Sequence, residues 1–173
     1  LQHRGQQGAG VYVSNGHELI GEKGFGLVQQ AIDRTAINSL ESIQPKHAIG
    51  QVLYCSEEEL TPENLQPMYF EHPRMKFALC FDGGIVNQHD VNMELQAQGA
   101  LFQSTSSCET LAHLLIREEG DCLDVLAKVL PKLDGAYTYL ILLKDRLLAM
   151  RDPLGLMPLS LGKVDDGYIV ASE

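Results

Sequence analysis

The 173-residue chain carries 13 basic and 23 acidic residues, for a formal net charge of −10, and 45% of its residues are hydrophobic. This profile is typical of a globular protein, and we interpret residues 1–173 as one domain. The acidic balance argues against a nucleic-acid partner, because phosphate binding needs basic clusters. We find neither a membrane-spanning run nor a signal peptide, so we expect a cytoplasmic protein with no membrane contact.

The first part of the chain predicts a hairpin followed by a buried strand. Val11–Val13 and Glu18–Ile20 flank Ser14-Asn15-Gly16, which is a typical turn sequence. Residues 27–40 have the apolar spacing of a short helix or of turns, and the compact apolar run Ala48–Tyr54 predicts a strand buried in the core. These residues therefore favour antiparallel pairing early in the chain.

The middle of the chain predicts a loop, another strand and then helices. Glu57–Pro67 is acidic and contains prolines, which indicates a loop, and Lys76–Phe81 reads as a buried strand that stops at Asp82-Gly83-Gly84. Three helical patterns follow, over Asn87–Gln98, Ser106–Ile116 and Asp121–Leu133. Ser106 is the expected N-cap of the second helix, with Glu109 completing a capping box.

The last part of the chain returns to strands. The three predicted strands are Ala136–Leu143, Arg146–Arg151 and Tyr168–Ala171. The order strands, helices, strands, with hairpin-like connections, predicts an α+β fold rather than a doubly wound parallel sheet. The abrupt start and the unfinished final strand suggest that both ends are cut from a longer polypeptide.

Eight segments, in order along nearly the whole chain, are similar to motifs of one family. They are LQHRGQQGAG, KGFGLV, IGQVLY, GGIVN, FQSTSSCETLAHL, LDGAYTYLIL, RDPLGLMPLSLG and YIVASE. Together they resemble the glutaminase domain of the glutamine phosphoribosylpyrophosphate amidotransferases, which act in purine synthesis. The resemblance implies the four-layer αββα sandwich of N-terminal-nucleophile hydrolases, here without its first strand.

The resemblance also implies a chemistry and a set of partners. In this family an N-terminal cysteine attacks the glutamine carboxamide, and its own α-amine moves the proton. The released ammonia then passes to a phosphoribosyltransferase domain, which we would expect after residue 173. We expect a small-molecule ligand (glutamine or a replacement), a homo-oligomer, and neither a cofactor nor a metal.

Three positions depart from the pattern that binds glutamine in this family. Leu53 stands where an arginine holds the glutamine carboxylate, and Asp82 replaces an asparagine of the oxyanion hole. Ser107 stands where an aspartate holds the ammonium group. Gly83 of the oxyanion hole is retained, and Tyr54 is a further pocket position. The sequence therefore predicts a degenerate glutaminase domain, unable to hydrolyse glutamine and kept for structure or regulation.

Two alternatives stay open. The domain could be an active glutaminase that supplies ammonia, with its nucleophilic cysteine outside this chain. It could instead bind another small metabolite, because apolar Leu53 and acidic Asp82 suit an amine or hydroxyl better than a carboxylate.

Other residues with chemical potential have simpler interpretations. Cys55 and Cys108 lie beside pocket positions and could be replacement nucleophiles, but no histidine is evidently paired with either, so we favour small buried side chains. Glu109 and His113 are one helical turn apart, and a helix-face pair is favoured over a metal site.

Overall fold

The first sheet is built from the N-terminal third of the chain. The computed structural model describes residues 1–173. Strands β1 (Gly8–Ser14), β2 (Leu19–Phe25) and β3 (His47–Leu53) form an antiparallel sheet in the order β2-β1-β3. Two short helices, α1 (Val28–Ala31) and α2 (Arg34–Ser42), connect β2 to β3. The predicted hairpin and the predicted strand are confirmed, but only Ile49 and Leu53 of β3 are buried, because β3 lies at the edge of its sheet.

The turn between β1 and β2 shows why the hairpin forms there. The side-chain Oδ1 of Asn15 accepts hydrogen bonds from the backbone N–H groups of His17 and Glu18, at 2.9 and 3.1 Å. An asparagine that satisfies the backbone of the next residues favours a turn over a continued strand. This contact reverses the chain and sets the register in which Ser14 pairs with Leu19.

The second sheet contains four antiparallel strands. Its members are β4 (Met68–His72), β5 (Met75–Ile85), β6 (Gly135–Leu142) and β7 (Leu147–Arg151), in the order β4-β5-β6-β7. A separate hairpin of β8 (Ser160–Val164) and β9 (Gly167–Ala171) follows. The predicted strands at residues 136–143, 146–151 and 168–171 are confirmed to within a residue or two at their ends.

Three helices lie between β5 and β6: α3 (Gln88–Ala97), α4 (Ser107–Arg117) and α5 (Cys122–Val129). Asp121 caps α5 by accepting from the backbone N–H of Leu123, and Pro131 lies in the short 3₁₀ turn that ends this helical segment. None of the helices has the length and hydrophobicity that a membrane span requires.

Buried side chains form three hydrophobic clusters. The largest packs the second sheet against α3, α4 and α5 around Phe77, Leu79, Leu111 and Leu115. A second cluster joins Ile49 of β3 to residues of the second sheet, namely Ala78, Cys80 and Leu142. A third packs the first sheet against α1 and α2. Successive residues of β5 therefore alternate between two buried clusters, as expected of a strand covered on both faces.

Two predictions of local structure were wrong, and two strands were not predicted. β5 does not stop at Asp82 but continues to Ile85, because β6 pairs with it along its whole length. Strands β4 and β8 were not predicted. Ser106 does cap α4, but Glu109 does not complete a capping box, because Ser104 Oγ accepts from the N–H of Ser106 instead.

The segment expected to be a loop, residues 57–67, contains only two 3₁₀ turns, Glu57–Glu59 and Pro62–Asn64. Its end is well packed, because Leu65 and Gln66 are buried. The segment therefore brings Asn64 and Gln66 to the interior face of β5 and α4, where both make side-chain hydrogen bonds.

Candidate functional site

The five predicted site residues line one cavity of about 640 Å³. Its walls come from β3, from the second half of β5, from the start of α4, and from residues of β6 and β9. The predicted members are Leu53, Tyr54, Asp82, Gly83 and Ser107. The fold thus brings together residues that lie up to 54 positions apart in the sequence.

Asp82 is paired with a cation. Its Oδ2 accepts a hydrogen bond from Nη2 of Arg4 at 3.1 Å, and the two side chains are 39% and 30% exposed. Nη1 of Arg4 also lies 3.6 Å from Oε1 of Glu173, and that same oxygen lies 2.8 Å from Nε2 of His3. Arg4 therefore supplies an opposite charge to the carboxylate of Asp82.

The contact with His3, and secondarily the charge of Arg4, lowers the pKa of Glu173 below its ordinary value. Glu173 is therefore held as a carboxylate, so that one guanidinium is shared by two carboxylates. Sequence reasoning did not place Arg4 in the site, since its acidic partner lies 78 residues away.

Gly83 has a backbone conformation that demands glycine. Its φ is +122°, and a Cβ built there would lie 2.1 Å from the carbonyl oxygen of Ala136 on the neighbouring strand. A side chain at this position would collide with the backbone of β6, so the sheet can close here only around glycine. The next residue, Gly84, has open space where its Cβ would lie.

Ser107 and Gln88 are joined by a short hydrogen bond. Oγ of Ser107 donates to Oε1 of Gln88 at 2.6 Å, and Nε2 of Gln88 donates to the carbonyl oxygen of Thr105 at 3.0 Å. Asn64 holds Thr105 from the other side, through Oδ1 to its N–H and Nδ2 to its Oγ1. This end of the cavity is therefore lined by groups that already satisfy one another.

The remaining predicted positions differ in their exposure. Leu53 is buried, pairs with Gly8 in the first sheet and offers no polar group. Tyr54 is 81% exposed at the edge of the cavity. Between them and Asp82, the backbone of Phe81 is held by two glutamines, since its N–H donates to Gln66 and its carbonyl accepts from Gln51.

The cysteines near the cavity have the environment of structural thiols. Cys108 is fully buried, and burial raises its pKa to about 12. Cys55 lines the cavity and burial also raises its pKa, while the lining residues contain no histidine. A thiol with a raised pKa and no base is a poor nucleophile. Cys108 is thus a small buried side chain, as expected, whereas Cys55 is only partly buried.

Glu109 and His113 hold the loop that precedes α4. Their closest approach is 3.9 Å, and His113 Nε2 lies 3.2 Å from the carbonyl oxygen of Leu101. The carboxylate of Glu109 accepts from the N–H groups of Gln103 and Ser104 and from Ser104 Oγ. The pair therefore positions the wall that carries Thr105 and Ser107, and no group of three metal-ligating side chains occurs in the structure.

The two sheets and the helices that cover them define a mixed helix-and-sheet domain with a cavity beside β5. A family model described as "Glutamine amidotransferase domain" matches residues 55–173. The chain belongs to the glutamine amidotransferase domain family. The family resemblance of its motifs is thereby confirmed.

The relatives of the chain share one description. It is 40% identical over 175 residues to the amidophosphoribosyltransferase of Staphylococcus aureus strain MRSA252, covering all of this chain and 35% of that protein. It is 38% identical over 175 residues to the amidophosphoribosyltransferase of Bacillus subtilis strain 168, covering 36% of that protein. The chain thus spans about a third of the length of these relatives.

Two solved structures match almost the whole chain. One is the glutamine phosphoribosylpyrophosphate amidotransferase of B. subtilis complexed with ADP and GMP, with a TM-score of 0.91 and 36% identity over 99% of this chain and 36% of that one. The other is described as the allosteric regulatory enzyme of purine biosynthesis, with a TM-score of 0.89 and 36% identity over 99% of this chain and 37% of that one.

Proposed function

We propose that this chain is the glutaminase-type domain of an amidophosphoribosyltransferase-like protein of purine synthesis, and that it has lost the ability to hydrolyse glutamine. The descriptions of its relatives support the first half of this proposal. The phosphoribosyltransferase domain, the homo-oligomer and the cytoplasmic location stay predictions that accompany it.

The loss of glutamine hydrolysis is proposed because Asp82 and Ser107 are hydrogen-bonded to other side chains of the protein. Asp82 is bound to Arg4 and Ser107 is bound to Gln88, within the one cavity that Leu53 also lines. An ionised aspartate has no hydrogen to donate to a developing oxyanion. Loss of one such donor typically lowers the rate by about 10²–10³-fold.

The two charged ends of glutamine also lack partners. Leu53 gives its carboxylate no guanidinium, and a buried carboxylate left unpaired costs several kcal/mol. Ser107 gives its ammonium group a hydroxyl oxygen without a counter-charge. Arg4 is the nearby guanidinium, but Asp82 and Glu173 already neutralise it.

The packing supports the four-layer αββα sandwich and a place for its first strand. The three hydrophobic clusters correspond to helices on sheet, sheet on sheet and sheet on helices. A mainly apolar groove of about 510 Å³ is lined by Ala48–Val52 of β3 and Tyr168–Ala171 of β9, each on an edge strand. Edge strands with unpaired backbone groups accept a further strand readily, and we assign the family's first strand to this groove.

A second function is favoured by the size of the cavity. A volume of about 640 Å³ falls within the range of roughly 300–1,000 Å³ that is usual for small-molecule sites. Binding of another metabolite is therefore the alternative we keep. Because Arg4 neutralises Asp82, the ligand would be recognised by hydrogen bonds rather than by charge.

The test is glutamate release from glutamine by the full-length protein, with the B. subtilis relative measured beside it as the active reference. The proposal predicts release by the reference and none above the buffer blank by this protein. Glutamine hydrolysis above the blank would overturn it.

A further inference from the structure

The carboxamide of Gln88 is held at both of its polar atoms. Gln88 is the first residue of α3, and its Oε1 accepts from Ser107 Oγ at 2.6 Å while its Nε2 donates to the carbonyl oxygen of Thr105 at 3.0 Å. The carbonyl oxygen of Thr105 can only accept, so the amide must turn Nε2 toward Thr105 and Oε1 toward the hydroxyl of Ser107. The side chain is therefore fixed in place against the cavity wall.

The wall behind Gln88 is fixed as well. Asn64 accepts from the N–H of Thr105 at 3.1 Å and donates to its Oγ1 at 3.0 Å. Thr105 therefore has hydrogen bonds at its N–H, at its Oγ1 and at its carbonyl oxygen, and the carbonyl oxygen accepts from Gln88. Ser107 is only 5% exposed, and neither Thr105 nor Ser107 can turn away from Gln88 without breaking one of these hydrogen bonds.

We propose that Gln88 is a specificity-determining residue of this cavity, because its carboxamide closes the end where the ammonium group of an amino acid would bind. The inference rests on the proposed function, in which position 107 is the ammonium end. An ammonium group at this end would have to reach Ser107 Oγ and the carbonyl oxygen of Thr105, and the carboxamide of Gln88 lies between these two groups and is hydrogen-bonded to both. To enter, an ammonium group must displace the carboxamide.

The consequence is that a negative charge at position 107 alone does not restore ammonium binding. Ser107 lies in the first turn of α4, directly after the N-cap Ser106, where an aspartate is compatible with the helix dipole. In Ser107→Asp the new carboxylate attracts the Nε2 group of Gln88, which competes with any ligand. Removal of the carboxamide, in Ser107→Asp with Gln88→Ala, leaves the carboxylate free.

The experiment uses a probe that does not involve position 53. 4-Aminobutanamide is glutamine without its carboxylate, and butanamide lacks the ammonium group as well. Calorimetry or NMR titration of the full-length protein compares Ser107→Asp, Ser107→Asp/Gln88→Ala and Ser107→Asp/Gln96→Ala. Gln96 is an exposed glutamine of the same helix, so the third variant controls for a Gln→Ala change in α3.

We expect 4-aminobutanamide to bind Ser107→Asp/Gln88→Ala about tenfold more tightly than the other two variants, which corresponds to about 1.4 kcal/mol. Butanamide should not distinguish the three. A gain of less than about threefold, or an equal gain for butanamide, overturns the inference. Thermal melting of each variant confirms that it is folded.

Should the double variant not fold, Gln88→Ala alone carries the test. It must bind 4-aminobutanamide more tightly than the wild type does, and equal binding overturns the inference. Failure of the proposed function is detected by a different experiment, the glutaminase assay, in which the wild type would release glutamate. The two failures are therefore distinguishable.

Discussion

Arg4 and Asp82, 78 residues apart in the sequence, are joined by a hydrogen bond of 3.1 Å at the edge of the cavity. The guanidinium of Arg4 supplies the charge opposite to that of Asp82, so this carboxylate in the cavity is paired. Nη1 of Arg4 also lies 3.6 Å from Oε1 of Glu173, two residues after the end of β9. The same guanidinium therefore joins the N-terminal turn to the segment that follows β9. The changed site is thus integrated into the fold.

The first prediction concerns this pair. Asp82→Asn should lower the free energy of unfolding by less than about 1 kcal/mol, because both side chains are about a third exposed and solvent screens the pair. It should release no glutamate from glutamine, because Leu53 and Ser107 are unchanged. Urea unfolding and a glutaminase assay check both outcomes, with Asp145→Asn, which breaks the exposed pair with Arg146, as the control. Gain of glutaminase activity by Asp82→Asn would show that one side chain alone causes the loss.

The second prediction compares two adjacent glycines of β5. Gly83→Ala should destabilise the protein by about 2 kcal/mol or more, because φ is +122° and the new methyl group would meet the carbonyl of Ala136. Gly84→Ala should change stability by less than about 1 kcal/mol, since nothing lies within 4 Å of its Cβ position. Denaturant unfolding of both variants is the measurement. Similar losses for the two would contradict the strand geometry described here.

The third prediction concerns thiol reactivity. Burial raises the pKa of Cys108 to about 12 and that of Cys80 well above its ordinary value, so on the order of 10⁻⁴ of the Cys108 thiol is ionised at pH 8. Iodoacetamide should therefore modify the partly exposed Cys55 and Cys122 well before the other two. Peptide mapping by mass spectrometry follows the order, and all four should react in urea. Early labelling of Cys108 in the folded protein would revive it as a candidate nucleophile.

The fourth prediction is a pH dependence. Burial of His113, whose ring packs 4.7 Å from that of Phe102, lowers its pKa below the ordinary 6.5. The unfolded chain then binds more protons than the folded one just below pH 6.5, so stability falls as the pH decreases through that window. His113→Asn should show a smaller loss between pH 7 and pH 5 than the wild type, measured by urea unfolding. His17→Asn, at an exposed position, should keep the wild-type slope, and an unchanged slope for His113→Asn would contradict the account.

Much of the fold could be predicted from local patterns. The β1–β2 turn, β3, β6 and the helices all follow from turn residues, apolar runs and caps near one another in the sequence. β8 carries no such signal, because all five of its residues are exposed and it shows no alternation of buried and exposed positions. The end of β5 depends on pairing with β6 about fifty residues later, which a local pattern cannot report.

The candidate site divides in the same way. Positions 53, 82 and 107 could be found because each lies inside a segment that resembles a family motif. Arg4 and Gln88 could not, because their roles arise only when the fold brings them to Asp82 and Ser107. The residues that pair with Asp82 and Ser107 are determined by tertiary contacts, so a single sequence does not identify them.

The central claim is that the cavity no longer binds the two charged ends of glutamine. Calorimetric titration of the full-length protein with glutamine tests it most directly, because it measures binding without requiring catalysis. We predict no binding at glutamine concentrations up to about 10 mM, well above the usual range of substrate KM values. Saturable binding with a Kd below about 10 mM would contradict the account.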